Sequence, residues 1–211
     1  MKIKAAIIGM GIGNKHFEAI ENYKSSEVKI ICDIDKKKVK ELKKQFPKKI
    51  ITNNENIIFN DKSINLVSIA SYDNYHFKQI LKCIKHNKNI IIEKPMCLNL
   101  WELKKIYKFI KKNKNIKISS NLVLRANSLF KKFKKRIKNS DVYYIEGNYI
   151  WGRKNKLFGW RSKLKDYSVT LGAGIHMIDL INWITGLRPI SVYAEGNKKI
   201  TKSSSFKKNS L

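Results

Sequence analysis

The charged pair Glu93 and Lys94 stands at a position where a buried strand is expected to end. The preceding stretch, 89–92, has three β-branched residues in a row, which predicts a strand covered on both faces, as in a parallel sheet. Ligands of α/β proteins bind at the carboxyl ends of such strands. Because Pro95 cannot continue a ladder and favours an extended backbone before it, the Lys94 ammonium is held near one place. A surface ion pair at a strand end is the alternative interpretation.

A second group of polar residues recurs every three positions along a helix predicted over 175–185, namely His176, Asp179 and Asn182. The helix is otherwise apolar almost all round and stops at Gly186, so we expect it to be buried. A lone histidine is more often a core residue with satisfied hydrogen bonds than a catalyst. A histidine and an aspartate three residues apart, in the first turns of a buried helix after a glycine loop, favour an active site.

A glycine-rich turn follows the apolar strand predicted over 3–8 and precedes a helix. Strand, glycine turn and helix N-terminus together form a phosphate site, because glycines allow close backbone approach and the free helix amides face the phosphates. The usual pattern, G-x-G-x-x-G, is imperfect here, since Asn14 occupies the third glycine position and Gly13 comes one residue earlier. The candidate pyrophosphate-binding residues are Gly9, Gly11, Ile12 and Gly13.

Asp33 ends the next predicted strand, 28–32, twenty residues after Gly13. A Rossmann unit places at this distance the carboxylate that accepts hydrogen bonds from the ribose hydroxyls. An acid there repels a 2′-phosphate, which favours NAD, although the basic residues 36–38 that follow keep NADP as an alternative. Capping of the next helix is the other interpretation of Asp33, and Asp35 is equally suited to that role.

Strands and helices alternate up to residue 120, which predicts an α/β fold with a doubly wound parallel sheet in a first domain, 1–120. The pattern changes in a second domain, 121–211. A long polar and aromatic strand is predicted over 141–151. It is followed by a loop that carries Trp160 and Arg161. The helix predicted over 175–185 comes next.

The formal net charge of +29 would normally indicate nucleic acid or an anionic membrane as a partner. Of the 45 basic residues, however, only five are arginines, and Ile and Asn are abundant as well. Lys, Asn and Ile share A/T-rich codons, and the lysines are spread over most predicted helices. We therefore expect solvated faces and neither of these partners. No apolar run reaches the length of a membrane span.

The three cysteines have no paired spacing and no nearby set of further ligands; they are Cys32, Cys83 and Cys97. An odd number of unpaired thiols is typical of a reducing cytoplasm, and the spacing argues against a zinc site. We therefore expect a cytoplasmic protein without a metal. The apolar N-terminal stretch contains glycines and lacks a cleavage pattern, so it predicts a buried first strand and not a signal peptide.

Four motifs occur in an order that resembles the Gfo/Idh/MocA family, named for glucose-fructose oxidoreductase and inositol dehydrogenase. The first is the glycine turn, and the second is 71–76, in place of a Thr-Pro-Asn-x-x-His loop. The third is the Glu-Lys-Pro motif at residues 93–95, and the fourth is 174–179, which matches G-x-H-x-x-D. The third and fourth together are specific, whereas the glycine turn alone is not. Trp160-Arg161 also matches a pair often found before that helix, and the resemblance extends to about Gly196.

The resemblance implies a Rossmann domain and then a domain with an open antiparallel sheet, with nicotinamide between them. It implies reversible oxidation of a secondary alcohol on a sugar, cyclitol or nucleotide sugar. His176 would be the general acid/base, kept neutral by the helix N-terminus, Lys94 would stabilise the developing alkoxide, and Asp179 would orient both. Implied cofactor contacts come from the glycine turn and from Asp33, Ser71, His76, Glu93, Lys94, Trp160 and Arg161. Implied substrate contacts come from Lys94, Asn121, Arg125, His176 and Asp179.

This chain departs from the family in two ways. Many members carry an aspartate four residues before the histidine, where this sequence has Gly172. Members also extend further to complete the sheet, so we expect a truncated or frame-shifted product, or a missing part supplied by another chain, and a homo-oligomer in the full-length form. Two rivals to the enzyme remain. One is a dinucleotide-binding sensor or remnant without chemistry, and the other is a nucleic-acid binder, whose affinity would fall steeply with salt.

Overall fold

The computed structural model describes residues 2–153, 158–164 and 168–196. The chain divides into two compact units, Met1–Asn121 and Leu122–Leu211. Within the described ranges, no helix has both the length and the apolar composition that crossing a membrane requires.

The described part of the first unit forms a six-stranded sheet whose strands are β1 Ile3–Ile8, β2 Ser26–Cys32, β3 Ile50–Thr52, β4 Leu66–Ile69, β5 Asn89–Ile92 and β6 Ile118–Ser120. Their order is β3-β2-β1-β4-β5-β6, and every pairing is parallel. Successive strands are added on one side of β1 up to β3 and on its other side from β4 onward, as in a doubly wound Rossmann fold. The predicted α/β fold of this unit is therefore confirmed.

Parallel neighbours need crossover connections, which helices supply here: α1 Gly13–Glu21, α2 Lys36–Gln45, α3 Asn56–Asn60, α4 His76–Lys85 and α5 Leu100–Lys112. The predicted cap of α5 is present, since Asn99 accepts from the Glu102 amide at 3.0 Å. Asp35 caps α2 in the same way, accepting from the Lys37 amide at 2.8 Å. These caps satisfy backbone donors that would otherwise lack partners.

The core lies on both faces of the sheet, and alternate residues of each strand serve opposite faces. Along β1, Ala5 and Ile7 pack with α1 and α2, whereas Ala6 and Ile8 pack with α3, α4 and α5. The prediction that β5 is covered on both faces is only half right. Ile90 and Ile92 are buried, but Ile91 is half-buried because it points to the side where α1 and α2 cover the other half of the sheet.

The second unit contains α6 Ser128–Arg136 and α7 Ile175–Thr185, with 3₁₀ turns at Val123–Ala126 and Trp160–Lys163. The strand predicted over 141–151 is wrong. That stretch is irregular, because a strand needs a hydrogen-bonded neighbour and the described part of this unit contains no other strand to supply one.

The predicted bounds of α7 are confirmed, but two expectations about it are not. Among its described residues Leu180 alone is buried, and Ile178 is 50% exposed, because few elements of the described chain pack around the helix. A π-helical turn, Thr170–Gly174, also runs directly into α7. His176 therefore does not lie in a first helical turn, and the dipole argument for a neutral imidazole loses its basis, since that effect fades beyond the first turn.

Candidate functional site

A cavity of about 340 Å³ opens at the carboxyl ends of β1, β2 and β4, beside the point where the strand order reverses. This is the place where open α/β sheets bind their ligands. Glycine backbone, one carboxylate, one lysine and aromatic rings share its wall, which includes Gly9, Gly11, Asp33, Lys38, Ser71 and Tyr72.

Four of the predicted residues of the first unit, Gly9, Asp33, Glu93 and Asn121, share one structural position, directly after a strand. The ladder continues by one hydrogen bond, so that the amide of each such residue donates to the last carbonyl of the neighbouring strand. Gly9 donates to Cys32 at 2.7 Å, Glu93 to Ile69 at 2.9 Å, and Asn121 to Ile92 at 2.7 Å. Parallel pairing therefore gathers at one edge residues that are far apart in sequence, including Asp33, which donates to Thr52 at 3.1 Å.

The three glycines of the turn have three different environments. Gly9 has a φ of 90°, and a Cβ there would lie 2.6 Å from the Ala70 carbonyl oxygen. A Cβ on Gly13 would lie 3.1 Å from Ile7 Cγ2, so this glycine lets α1 pack closely on β1. A Cβ on Gly11 would have no described heavy atom within 4 Å, and this open face leaves room for a ligand.

These environments match the tight turn, the ligand approach and the helix packing for which a dinucleotide fingerprint needs its glycines. The early position of Gly13 therefore does not remove the packing role of the third glycine. Ile12, which precedes α1, is 51% exposed, and no described side chain caps this helix. The Lys15 amide donates to the Ile12 carbonyl at 2.9 Å, and the helix N-terminus before it, without a side-chain cap, fits a pyrophosphate and thus the predicted cofactor.

Asp33 links the end of β2 to the glycine turn. Its Oδ2 accepts from the Met10 amide at 2.8 Å, and its Oδ1 accepts from the Asp35 amide at 3.0 Å. Because Asp35 caps α2, the capping interpretation applies to Asp35, and the Asp33 carboxylate is left on the cavity wall. Lys38 Nζ lies 3.5 Å from Asp33 Oδ2, which puts a positive charge beside the candidate ribose site.

Sequence reasoning missed a hydrogen-bonded chain along one side of the cavity. Ser71 Oγ donates to Gln79 Oε1 at 2.7 Å, and Gln79 Nε2 donates to Glu55 Oε2 at 2.7 Å. Lys82 Nζ then donates to Glu55 Oε1, also at 2.7 Å. The available signal was Gln79 itself, a polar residue on the otherwise apolar, buried face of α4.

His76 is fully buried and connects two loops. Its Nδ1 donates to the Pro95 carbonyl at 2.7 Å, and its Nε2 lies 3.2 Å from the Ser71 carbonyl oxygen. The peptide bond between Lys94 and Pro95 is cis. This predicted cofactor-binding histidine therefore supports the Ser71 and Pro95 backbones from within the protein and does not present its ring to a ligand.

Glu93 and Asn121 lie in one partly buried polar cluster, and the cofactor contact predicted for Glu93 and the substrate contact predicted for Asn121 stay predictions. Asn121 Nδ2 donates to Glu93 Oε1 at 2.6 Å, and His16 Nε2 lies 2.9 Å from the same oxygen. Burial raises the pKa of Glu93, but the hydrogen bonds from His16 and Asn121 and the nearby charge of Lys94 outweigh it, so the pKa is lowered overall. Lys94 itself is half-buried.

In the second unit, Arg125 and Asp179 form a bidentate ion pair with each other. Arg125 Nε donates to Asp179 Oδ2 at 2.8 Å, and Nη2 donates to Oδ1. The hydrogen bond to Asp179 raises the pKa of Arg125 above its ordinary value. This pairing holds both side chains in place. The substrate contact predicted for Arg125 and the orienting role predicted for Asp179 would therefore be made by side chains that are already paired with each other.

The remaining predicted residues of the second unit contact aromatic rings. The His176 ring stacks on Tyr149, with centroids 6.5 Å apart and planes 17° from parallel. Arg161 lies 4.2 Å above the ring of Trp160 within the 3₁₀ turn that carries both. The cofactor contacts predicted for Trp160 and Arg161 stay predictions.

The described cysteines are free thiols. Burial raises the pKa of Cys32 to about 12 and that of Cys97 to about 11, and it also raises the pKa of Cys83. Thiols held in the neutral form are poor nucleophiles and poor metal ligands. The described ranges contain no group of three His, Cys, Asp or Glu residues arranged to hold a metal ion.

Comparison with known proteins identifies the family. The model of an oxidoreductase family with an NAD-binding Rossmann fold, Gfo/Idh/MocA, matches residues 3–121. A glucose-6-phosphate 3-dehydrogenase from Bacillus subtilis is 29% identical over 187 residues, 84% of this chain and 52% of that protein. A myo-inositol 2-dehydrogenase from Thermotoga maritima is 25% identical over 99 residues, 46% of this chain and 30% of that protein.

Among solved structures, a scyllo-inositol dehydrogenase from Lactobacillus casei with bound NAD(H) and scyllo-inositol superposes with a TM-score of 0.78 at 21% identity. The match covers 88% of this chain and 57% of that one. The chain thus spans about half, or less, of the length of these relatives. Since the family model matches more than half of the chain and the glycine turn fits the cofactor, the protein belongs to the Gfo/Idh/MocA oxidoreductases, a family with an NAD-binding Rossmann fold.

Proposed function

We propose that this chain belongs to an NAD(P)-dependent dehydrogenase that oxidises a secondary alcohol of a cyclitol, sugar or nucleotide sugar. The observation that carries the proposal is the cavity of the first unit, in which the open face of Gly11 lies beside the Asp33 carboxylate. The related proteins with inositol and glucose 6-phosphate in their names support this substrate class. Because the chain spans only part of those relatives, the proposal concerns the complete protein.

The cavity favours NAD and leaves a route to NADP. Asp33 can accept from the two ribose hydroxyls, and its negative charge opposes a 2′-phosphate. Lys38, 3.5 Å from Asp33 Oδ2, offsets part of that charge and could itself bind the phosphate. We therefore propose that NAD binds more tightly than NADP by a modest factor.

The proposed chemistry assigns a proton and a charge to this chain's own residues. When bound, the nicotinamide supplies the hydride acceptor. We assign removal of the hydroxyl proton to His176 and stabilisation of the developing alkoxide to the Lys94 ammonium. Asp179 lies one helical turn from His176, where Arg125 fixes its carboxylate and offsets part of its charge, and we assign to it the orientation of His176.

A second candidate is a dinucleotide-binding protein that does not turn over substrate. It is favoured by Gly172, which stands where many family members have a carboxylate, so a relay through that position is missing. Turnover measured with cofactor bound separates the two candidates. For either one we propose a small-molecule ligand, a cytoplasmic location and a homo-oligomer in the full-length form.

The first test is a fluorescence titration of the purified chain with NADH and NADPH. Asp33→Ala should weaken NADH binding by about 10-fold, since it removes a charged hydrogen-bond acceptor. Glu41→Ala, an exposed acid on α2, is the matched control and should bind as the parent does. A folded protein that binds neither dinucleotide would contradict the proposal.

The second test screens cyclitols and sugars for NAD reduction. Lys94→Ala and His176→Ala should each abolish the turnover of an accepted alcohol while leaving NADH binding within a few-fold of the parent. His86→Ala, which changes a histidine on the opposite edge of the sheet, serves as control. Cofactor binding without turnover of any alcohol would favour the second candidate.

A further inference from the structure

His16 is the centre of a buried polar cluster that no sequence motif predicted. Its Nδ1 lies 2.6 Å from Ser68 Oγ in the middle of β4, and its Nε2 lies 2.9 Å from Glu93 Oε1 after β5. Asn121, after β6, donates to the same Glu93 oxygen at 2.6 Å. His16 itself is 8% exposed and Ser68 is fully buried. One imidazole thus connects α1 with β4 and with the residue that follows β5.

The partners determine where the protons lie. Because a carboxylate only accepts, His16 Nε2 carries a hydrogen and donates to Glu93. In the neutral imidazole Nδ1 then has a lone pair, which accepts from the Ser68 hydroxyl. The contact of Asn121 Nδ2 with His16 Nε2, at 3.3 Å, joins two donors and adds no hydrogen bond. Every close contact of the ring is therefore satisfied without a proton moving.

Ser68, His16 and Glu93 superficially resemble a serine nucleophile with its base and acid. Its burial excludes that role. Ser68 Oγ is enclosed in the central part of the sheet, where no acyl group can reach it. A nucleophile must be accessible at the place where substrate binds. The cluster is therefore part of the protein's framework.

The position of the cluster connects two parts of the candidate site. His16 lies in the first turn of α1, directly after the glycine turn, and Glu93 is the residue before Lys94. Burial of an unpartnered carboxylate is costly, so Glu93 must stay where His16 and Asn121 can reach it. The groups that face Glu93 from neighbouring elements are His16, Asn121 and Lys94.

We propose that His16 is a positioning residue that holds Glu93, and through it the backbone of Lys94, in a fixed place relative to the glycine turn. The proposal rests on the proposed function for the role of Lys94. It adds that the phosphate-binding helix and the catalytic lysine form one rigid unit, joined by the imidazole. Because Gly9 keeps its own packing against Ala70, cofactor affinity depends little on His16.

Two substitutions at position 16 separate the two contacts of the imidazole. The amide nitrogen of glutamine is as many bonds from Cα as Nε2 and can still donate to Glu93. The amide of asparagine is as far from Cα as Nδ1 and reaches only toward Ser68. His16→Gln should therefore preserve the positioning of Glu93, and His16→Asn should lose it. His86→Asn, a histidine that packs against Phe59, is the control for the substitution itself.

The direct measurement is the titration of the Glu93 side-chain carboxyl carbon by NMR in the full chain. The parent should titrate below the ordinary value of 4.5. In His16→Asn the midpoint should rise measurably above that of the parent, because burial is no longer opposed by the imidazole donor. His16→Gln and His86→Asn should both titrate as the parent does. An unchanged midpoint in His16→Asn would overturn the proposal.

Two further measurements report on Lys94. With an accepted alcohol, His16→Asn should lower kcat by about 10- to 100-fold while the NADH dissociation constant changes by less than about threefold, because misplacing a catalytic group slows chemistry more than binding. A purely structural role would instead reduce both in proportion to the folded fraction. Limited acetylation, read by mass spectrometry, should also modify Lys94 faster in His16→Asn, with exposed Lys104 as reference.

The measurements distinguish failure of this proposal from failure of the proposed function. If the parent binds NADH and turns over no alcohol, the proposed function fails. The Glu93 titration and the acetylation rate of Lys94 still decide whether His16 positions this turn. If His16→Asn leaves both of them at parent values in a folded protein, His16 does not position Lys94.

Discussion

The two units hold their candidate residues in different ways. In the first unit Gly9, Asp33, Glu93 and Asn121 each directly follow a paired strand. In the second unit the candidates lie on a helix and on turns, and Asp179 is fixed by Arg125, whose side chain is 45% exposed. Ladder pairing fixes positions over long sequence distances, whereas a helix fixes only residues within a few turns.

This difference means that the geometry of the first unit is determined by the backbone, and that of the second unit depends more on individual side-chain contacts. We therefore expect the largest loss of stability from a substitution that changes the backbone conformation of the first unit. The smaller tests are a side-chain substitution in the second unit and a change of pH that acts on one carboxylate.

Gly9→Ala should destabilise the first unit by about 3 kcal/mol or more, since the new Cβ combines a left-handed φ with close contact to rigid backbone. Its nearest atom would be the Ala70 carbonyl oxygen at 2.6 Å. Gly11→Ala is the matched control, because a Cβ there meets no described atom within 4 Å. Urea unfolding should show parent-like stability for Gly11→Ala.

The same pair of variants also tests ligand approach. Gly11→Ala should weaken NADH binding although the fold is intact, because the methyl group occupies the open face. Equal stability of the two variants would contradict the assignment of separate roles to these glycines. Unchanged NADH binding in Gly11→Ala would contradict the placement of the pyrophosphate.

The sequence predicted the first unit well because its signals are local and repeated. Alternating β-branched strands and amphipathic helices define a parallel sheet, and parallel pairing alone brings Gly9, Asp33 and Glu93 to one edge. His16 could not be recognised in this way. Its partners lie 52 and 77 residues away, and a polar residue on a helix face has no sequence signature of the strand it will contact.

Prediction failed in the second unit for the converse reason. The aromatic stretch 141–151 has strand propensity, but propensity becomes a strand only when a neighbour pairs with it, and the described residues provide none. The apolar composition of α7 likewise predicted burial, which depends on surrounding elements and not on the helix itself. The ion pair of Arg125 with Asp179 joins residues 54 positions apart and was equally invisible.

Arg125→Met should have a local and smaller effect. Loss of a partly exposed ion pair costs about 1 kcal/mol or less, because solvent screens it. Hydrogen exchange should accelerate in α7 and in the 3₁₀ turn Val123–Ala126, with no change in the first unit. Arg136→Met, an exposed arginine on α6, should leave exchange unchanged. Faster hydrogen exchange across the first unit would contradict the conclusion that the backbone of the first unit is held independently of this ion pair.

A further expected effect is a loss of stability in acid that is confined to the first unit. Hydrogen bonds from Lys29 and Ser63 lower the pKa of Asp61 to about 2 from an ordinary value of 3.8. A carboxyl whose folded pKa is depressed stabilises the fold above its unfolded pKa, and this contribution is lost as pH falls from 3.8 through about 2.

Asp61→Asn removes the titrating group and keeps the shape of the side chain. Urea unfolding of the first unit can be monitored through NMR signals of β1 and β2. The free energy of unfolding should fall less steeply between pH 4 and pH 2 in Asp61→Asn than in the parent. Asp141→Asn, an exposed aspartate of the second unit, is the control and should follow the parent curve. Coincident curves for the parent and Asp61→Asn would show that acid destabilises this unit through other carboxylates. Glu93, whose pKa is also lowered by hydrogen-bond donors, is the next carboxylate to test.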